Sequence, residues 1–160
     1  MKIFADRFDR LIHTCPILDF KRSITLNEFF DEIARVLSIR LKIKKDKIRE
    51  LLWKREKEFS TVIAPRLAIP HIIIPGKKRF DILLVRCREG IIFDTESPSV
   101  NIAFILMGTK DECNFHIKTL AAIAQIAQDK EFHEKWLRAR TIEELRDIIL
   151  LVERKRFGPK

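Results

Sequence analysis

Phe80-Asp-Ile-Leu-Leu-Val85 and Val100-Asn-Ile-Ala-Phe-Ile-Leu-Met107 are two apolar runs broken only by Asp81 and Asn101. Each has the length of a strand and is short for a helix. Because a strand sends successive side chains to opposite faces, apolar residues at neighbouring positions imply cover on both faces. That cover is written on either side of the pair. Thr25 with Glu28 forms a capping box, and Phe29, Ile33, Val36 and Leu37 follow at helical spacing. A second helix is expected from Asp46 to Glu58 or Phe59, burying Ile48, Leu51, Leu52 and Phe59. After Gly108, Ile117, Leu120, Ala121, Ala124 and Ala127 line one helical face, widened by Phe115, Ile123 and Ile126. Lys130 to Leu137 reads as a short helix, and Thr141 with Glu144 opens another over Ile142, Leu145, Ile148 and Ile149. Short strands are expected at Leu67 to Ile69 and at Ile91 to Phe93. The order implies an α/β fold in which helices pack against a small central sheet.

The chain's 160 residues fit one compact domain. Residues 1–24 read as a lead-in, 25–152 as the domain and 153–160 as a basic tail. No stretch approaches the roughly 20 consecutive apolar residues that span a bilayer, and no signal pattern opens the chain, so a cytoplasmic location is expected. Cys15, Cys87 and Cys113 form no CxxC or zinc-ligand spacing; reduced thiols are expected, with no metal and no cofactor. Walker-type, GxSxG and GxGxxG motifs are absent, which removes the anchors for nucleotide hydrolysis, ester hydrolysis and dinucleotide redox.

The net charge is +9, and much of the excess lies between Arg40 and Lys57. This stretch reads as a loop and the solvated face of a helix. It lacks a helix-turn-helix signature or an interleaved aromatic platform, so acidic proteins are the expected partners and nucleic acid is not.

The chemistry centres on Ala68-Ile-Pro-His-Ile72 and on His116. Pro70 fixes φ and biases Ile69 towards an extended conformation, so His71 is displayed on a stiff approach. An imidazole is partly neutral near pH 7 and can attack phosphorus without prior deprotonation. His116 stands where the apolar helix begins, whose positive end favours a neutral ring and attracts anions. Arg55, Ser60 and Thr61 are the nearest further candidates in sequence. Each has an ordinary structural reading too: the histidines as packing residues, Arg55 as a partner of Glu56 or Glu58, the hydroxyls as caps. His13 and His133 are assigned no role.

Lys54-Arg-Glu-Lys-Glu-Phe-Ser-Thr-Val-Ile-Ala-Pro-Arg-Leu-Ala-Ile-Pro-His71, Asn114-Phe-His116-Ile-Lys-Thr-Leu-Ala and Asp129-Lys-Glu-Phe resemble the fructose/mannitol-type enzyme IIA domain of the bacterial phosphotransferase system, which includes the nitrogen-regulatory proteins. The resemblance runs from about Ser23 to Leu151. It implies the mannitol-type fold, a small mixed β-sheet flanked by helices. It implies that His71 accepts a phosphoryl group from the phosphocarrier HPr or a similar phosphohistidine donor, with His116 and Arg55 helping to bind it. Arg10-Leu-Ile-His-Thr-Cys-Pro-Ile-Leu-Asp19 and Leu137-Arg-Ala-Arg-Thr-Ile-Glu-Glu-Leu-Arg-Asp147 are similar to enzyme-IIA-like domains attached to cation/proton antiporters and amino-acid permeases. That subgroup implies regulation of transport or metabolism. Two departures favour an alternative: Val62-Ile-Ala-Pro-Arg66 stands where the family usually has a Gly-rich approach, and Ile72, Ile73 and Ile74 stand where it usually has a small residue after the histidine. Bulk there would suit a non-catalytic regulatory module that binds a small anion or nucleotide, or docks on a membrane transporter, without phosphotransfer. Oligomeric state is left unassigned.

Overall fold

A computed structural model describes residues 5–158. The chain opens with α1 (Arg7–Thr14), β1 (Ile17–Phe20) and β2 (Ile24–Thr25). Two helices follow, α2 (Leu26–Leu41) and α3 (Lys45–Glu58), then three short strands, β3 (Val62–Ala64), β4 (Leu67–Ala68) and β5 (His71–Ile73). The long strands β6 (Phe80–Ile92) and β7 (Val100–Gly108) lead through a 3-10 turn at Lys110–Glu112 into α4 (Cys113–Gln128), α5 (Phe132–Arg138) and α6 (Ile142–Leu151).

The antiparallel pair β6 and β7 forms the centre of a mixed sheet. β1 and β2 run parallel to β6 along one edge, and β4 and β5 run parallel to β7 along the other, with β3 antiparallel to β4 outside. Side-chain alternation divides the interior. Ile82, Leu84, Ile102, Phe104 and Leu106 pack against α1, α4, α5 and α6, while Leu83, Val85, Ala103, Ile105 and Met107 pack against α2 and α3. Full burial of each such side chain is worth about 1.5–3 kcal/mol relative to exposure, so the two layers dominate the stability. The segment expected as a separate strand at Ile91 to Phe93 continues β6 as far as Ile92. A register shift between Arg86 and Ile91 bends the strand there, and Gly90 supplies the required φ of +99°.

The described parts of the lead-in and the tail are built into the fold. Phe8, Ile12 and Cys15 lie in the core beneath α6, and β1 pairs residue for residue with Leu84 to Cys87. Asp6 and Asp9 cap α1 reciprocally and also receive the tail. Fully buried Arg154 donates to Asp6 Oδ1 at 2.8 Å and to Asp9 Oδ1 at 3.2 Å, and Arg156 reaches Asp9 Oδ2 at 2.7 Å. Burial alone would raise the Asp6 carboxyl, but Arg154 and the N–H groups of Asp9 and Phe157 hold it down to about 2. Pairings across such sequence distances leave no periodic trace. The basic stretch is also partly neutralised: Arg40 pairs with Asp81, and Lys45 and Arg49 pair with Asp31.

Two surface expectations are corrected. Phe59 is not buried by α3; the helix stops at Glu58, the chain turns extended, and the ring is 78% exposed. The inward stripe of α4 is Phe115, Thr119, Ala122, Ile123 and Ile126, so the helix is rotated from the expected face and Ile117 is 64% exposed. The rotation lets Phe115 meet Phe80 edge-to-face at 4.8 Å.

Candidate active site

Ile69 and Pro70 separate β4 from β5 without breaking their shared alignment on β7. Ile69 N–H donates to Thr61 O at 2.8 Å, and Pro70, which has no N–H of its own, accepts from Leu106 N–H at 2.9 Å. His71 therefore begins an edge strand in register with Leu106. Strand alternation then disposes of the three isoleucines. Ile72 and Ile74 turn into the α2/α3 core at 5% and 3% exposure, and Ile73 alone stays outside at 59%. Ile72 and Ile74 help to fill that interior, while Ile73 stays on the His71 face, and Ile72 and Ile73 both border the cavity that the imidazole lines.

Two opposed hydrogen bonds fix the His71 ring. Its Nδ1 lies 3.0 Å from Ile69 O, and its Nε2 lies 2.8 Å from Arg55 Nε. A carbonyl only accepts and a guanidinium N–H only donates, so the ring is neutral, with its proton on Nδ1 and its lone pair on Nε2. Burial lowers the His71 pKa from 6.5, and the Arg55 charge adds to this against the opposing bond to Ile69. Arg55 comes from the last turn of α3 and also donates through Nη1 to Phe59 O at 2.9 Å. It pairs with neither Glu56 nor Glu58. Glu56 instead accepts from Thr61 N–H at 3.0 Å and Thr61 Oγ1 at 2.6 Å.

His116, in the first turn of α4, brings its ring centroid to 5.0 Å from that of His71 at an interplanar angle of 58°. Burial lowers its pKa too, helped by His71 and Arg55. The two histidines line a cavity of about 230 Å³ with Ile73, Phe80, Thr109 and Cys113. Gly108 completes its floor, where a Cβ would lie 2.7 Å from the Phe80 ring. The 3-10 turn and the start of α4 border the cavity, so the positive end of the helix lies beside it.

The structure thus brings together His71, His116 and Arg55, the three residues marked in the sequence. Ser60 and Thr61 stay outside: Ser60 Oγ accepts from Val62 N–H and Thr61 serves Glu56. Sequence reading missed Phe80, Gly108, Thr109 and Cys113, which reach the cavity through the pairing of β5 and β6 with β7. It also missed Arg7, which pairs with Glu112 on the cavity wall and places its guanidinium 4.0 Å from the Phe115 ring centroid. Cys15 and Cys87 are buried thiols, and burial pushes Cys15 up to about 11. Among the described residues no His, Cys, Asp and Glu side chains gather as a metal-binding group, and no helix is long and apolar enough to cross a membrane.

Residues 20–151 match the family described as "Phosphoenolpyruvate-dependent sugar phosphotransferase system, EIIA 2". The nitrogen regulatory protein of Escherichia coli is 30% identical over 123 residues, covering 73% of each chain. The crystal structure of nitrogen regulatory protein IIA-Ntr from Neisseria meningitidis superposes with a TM-score of 0.75 at 27% identity, covering 87% of this chain and 94% of that one. Enzyme IIA for mannitol from Escherichia coli, solved in complex with phosphorylated enzyme IIB, shares the fold at a TM-score of 0.68 and 14% identity, over 83% of this chain and 92% of that chain. With the mixed sheet flanked by helices and a match over most of its length, the chain belongs to the EIIA 2 family of the phosphoenolpyruvate-dependent sugar phosphotransferase system.

Proposed function

We propose that this protein is a regulatory phosphoryl carrier in which His71 Nε2 is the acceptor. The observation that carries the reading is the pair of opposed bonds on the ring: Ile69 O holds the proton on Nδ1, and Arg55 marks the direction of the Nε2 lone pair. When a phosphohistidine donor docks, Nε2 attacks phosphorus, the donor's P–N bond breaks, and its electron pair returns to the donor nitrogen. The Nδ1 proton stays on His71, where its bond to Ile69 O strengthens as the ring gains positive charge. Arg55 swings from the lone pair onto the phosphoryl oxygens, and His116 and the N–H groups before α4 complete the charge stabilisation.

HPr or a related phosphocarrier is the donor in this reading, and a cytoplasmic setting supplies it. A transporter or metabolic enzyme that senses the phosphorylated form is the target. The non-catalytic alternative rests on the missing glycines before His71 and on the bulk after it; the burial of Ile72 and Ile74 weighs against it, and Ile73 is the bulky side chain left on the His71 face.

The test is intact-mass analysis after incubation with phosphoenolpyruvate, enzyme I and HPr, and separately with phosphoramidate, a small phosphoryl donor. One added phosphate in either reaction, absent from folded His71→Gln, is the expected result. Labelling that persists in the variant, or no labelling from either donor, overturns the assignment.

A further inference from the structure

Phe80 is shared by the histidine cavity and a separate groove of about 460 Å³ that neither histidine nor Arg55 lines. α1 gives this groove Arg7, the end of α2 gives Arg40, and the connection from β5 into β6 gives Lys78, Arg79 and Asp81. Four cations therefore line it with one carboxylate, an excess of three positive charges.

The acids beside the groove are already engaged. Asp81 accepts from Arg40 Nη2 at 3.2 Å and from Ile82 N–H at 2.9 Å, Glu112 is held by Arg7, and Asp111 accepts from Lys78 N–H at 2.9 Å. That last bond steadies Lys78 at a φ of +55°, which is uncommon for a residue other than glycine. Among the described residues Lys78 and Arg79 form no ion pair within 4.0 Å, and Arg79 Nη2 donates only to Leu41 O, at 3.2 Å. A concavity of this size lined by guanidinium forks suits a small, multiply charged phosphate ligand.

We infer that this groove is an effector site for a small molecule carrying paired phosphates, and that its occupant slows phosphorylation of His71 from outside the histidine cavity. Lys78 and Arg79, the two uncommitted cations, match the first phosphate. The second draws on Arg40 and Arg7, since a phosphate dianion competes well with a carboxylate for a guanidinium. Arg7 is the link to the histidines: it holds Glu112 on the cavity wall and lies 4.0 Å from the centroid of the Phe115 ring. Phe80 in turn meets Phe115 at 4.8 Å and His116 at 6.1 Å between centroids. Drawing Arg7 into the groove releases Glu112, whose carboxylate then stands at the cavity without a countercharge and repels an incoming phosphoryl group. The effect on His71 rests on the phosphoryl-carrier reading, and the binding of the ligand does not.

Calorimetric titration of the whole chain with inorganic pyrophosphate and with orthophosphate tests the groove. Pyrophosphate should bind once per chain and at least about tenfold more tightly than orthophosphate, and the double variant Lys78→Gln, Arg79→Gln should weaken it by about tenfold or more. Bound pyrophosphate should shift the His116 ring resonances and slow phosphoramidate labelling of the wild-type protein. The double variant should label at the wild-type rate and respond to pyrophosphate in neither readout. ADP should displace pyrophosphate if the natural occupant is free in solution, and vesicles containing a bisphosphorylated inositol lipid should do so if it is a headgroup; displacement by neither overturns the ligand class. Undiminished binding to the double variant places the anion elsewhere, as in the histidine cavity, and overturns the inference. Equal affinity for the two anions, or binding that leaves the His116 resonances unmoved, does the same. Absence of phosphoramidate labelling without pyrophosphate strikes the carrier reading alone, because binding and resonances are read on the unphosphorylated protein.

Discussion

Arg154 and Arg55 are both fixed by hydrogen bonds, but their surroundings have opposite electrical character. Arg154 is buried in the clasp between tail and α1, where Asp6 and Asp9 balance its charge. Arg55 is half-buried at the cavity, where it meets an imidazole lone pair and a carbonyl, and among the described residues forms no ion pair. A cation buried for structure needs a countercharge within the chain, because desolvation is otherwise uncompensated. A cation left beside a cavity without one is a place where a phosphoryl dianion can supply it. The clasp is electrostatically finished and the site is not.

The contrast is most directly broken at the clasp. Arg154→Ala strands the buried carboxylate of Asp6 and leaves Asp9 to Arg156 alone, and urea denaturation should show a loss of about 3–5 kcal/mol. Phosphoramidate labelling per folded molecule should be nearly unchanged. A loss under 1 kcal/mol, on the scale of a surface pair, would mean that the clasp is not an internally balanced unit. At the site the signs reverse. Arg55→Ala should leave stability almost intact yet slow labelling by on the order of 10²-fold, the effect of removing one oxyanion donor. It should also let the His71 pKa rise, since Arg55 is one of the charges holding it down. Unaltered labelling would show that Arg55 is structural like Arg154.

Arg7 probes whether the two regions communicate. It sits between the capping aspartates of α1 and the Glu112–Phe115 wall. Arg7→Ala should cost about 1 kcal/mol, the value of a partly exposed pair with a cation–π contact, and should shift the His116 ring resonances. Unmoved resonances would separate the regions. The smallest effect is on pH dependence. His71 and His116 both titrate below 6.5 when folded, so the unfolded chain binds protons first as pH falls. Their contribution is complete above 6.5 and is lost below it, and stability should decline from pH 6.5 towards 5 more steeply than in His71→Gln. Parallel profiles would mean that His71 is not held neutral by the fold.

The two regions also differed in how far the sequence disclosed them. Local devices were plain: the Thr25–Glu28 box forms as written, with Thr25 N–H on Glu28 Oε1 and Glu28 N–H on Thr25 Oγ1. So were the twin apolar strands and the three candidate residues that the fold brings together, because Ile-Pro-His is a short signal and the resemblance marked its companions. The clasp was illegible, since Asp6 and Arg154 are 148 positions apart and charged residues near chain ends read as solvated. The isoleucines after His71 were partly legible, since only Ile73 stays on the face of the imidazole. Their number was read as steric bulk, although period-two alternation on an edge strand sends two of them into the core.

His71 belongs to the sheet, Arg55 to a helix of one covering layer and His116 to a helix of the other. Among the described residues the two layers share no hydrophobic cluster, and they meet chemically at this edge. A phosphoryl group bridging the three side chains would act as a rivet through all the layers at once. Amide exchange in α3 and α4, which belong to separate cores, would then slow together on phosphorylation, and the state of one imidazole would be legible in the breathing of both sides of the molecule.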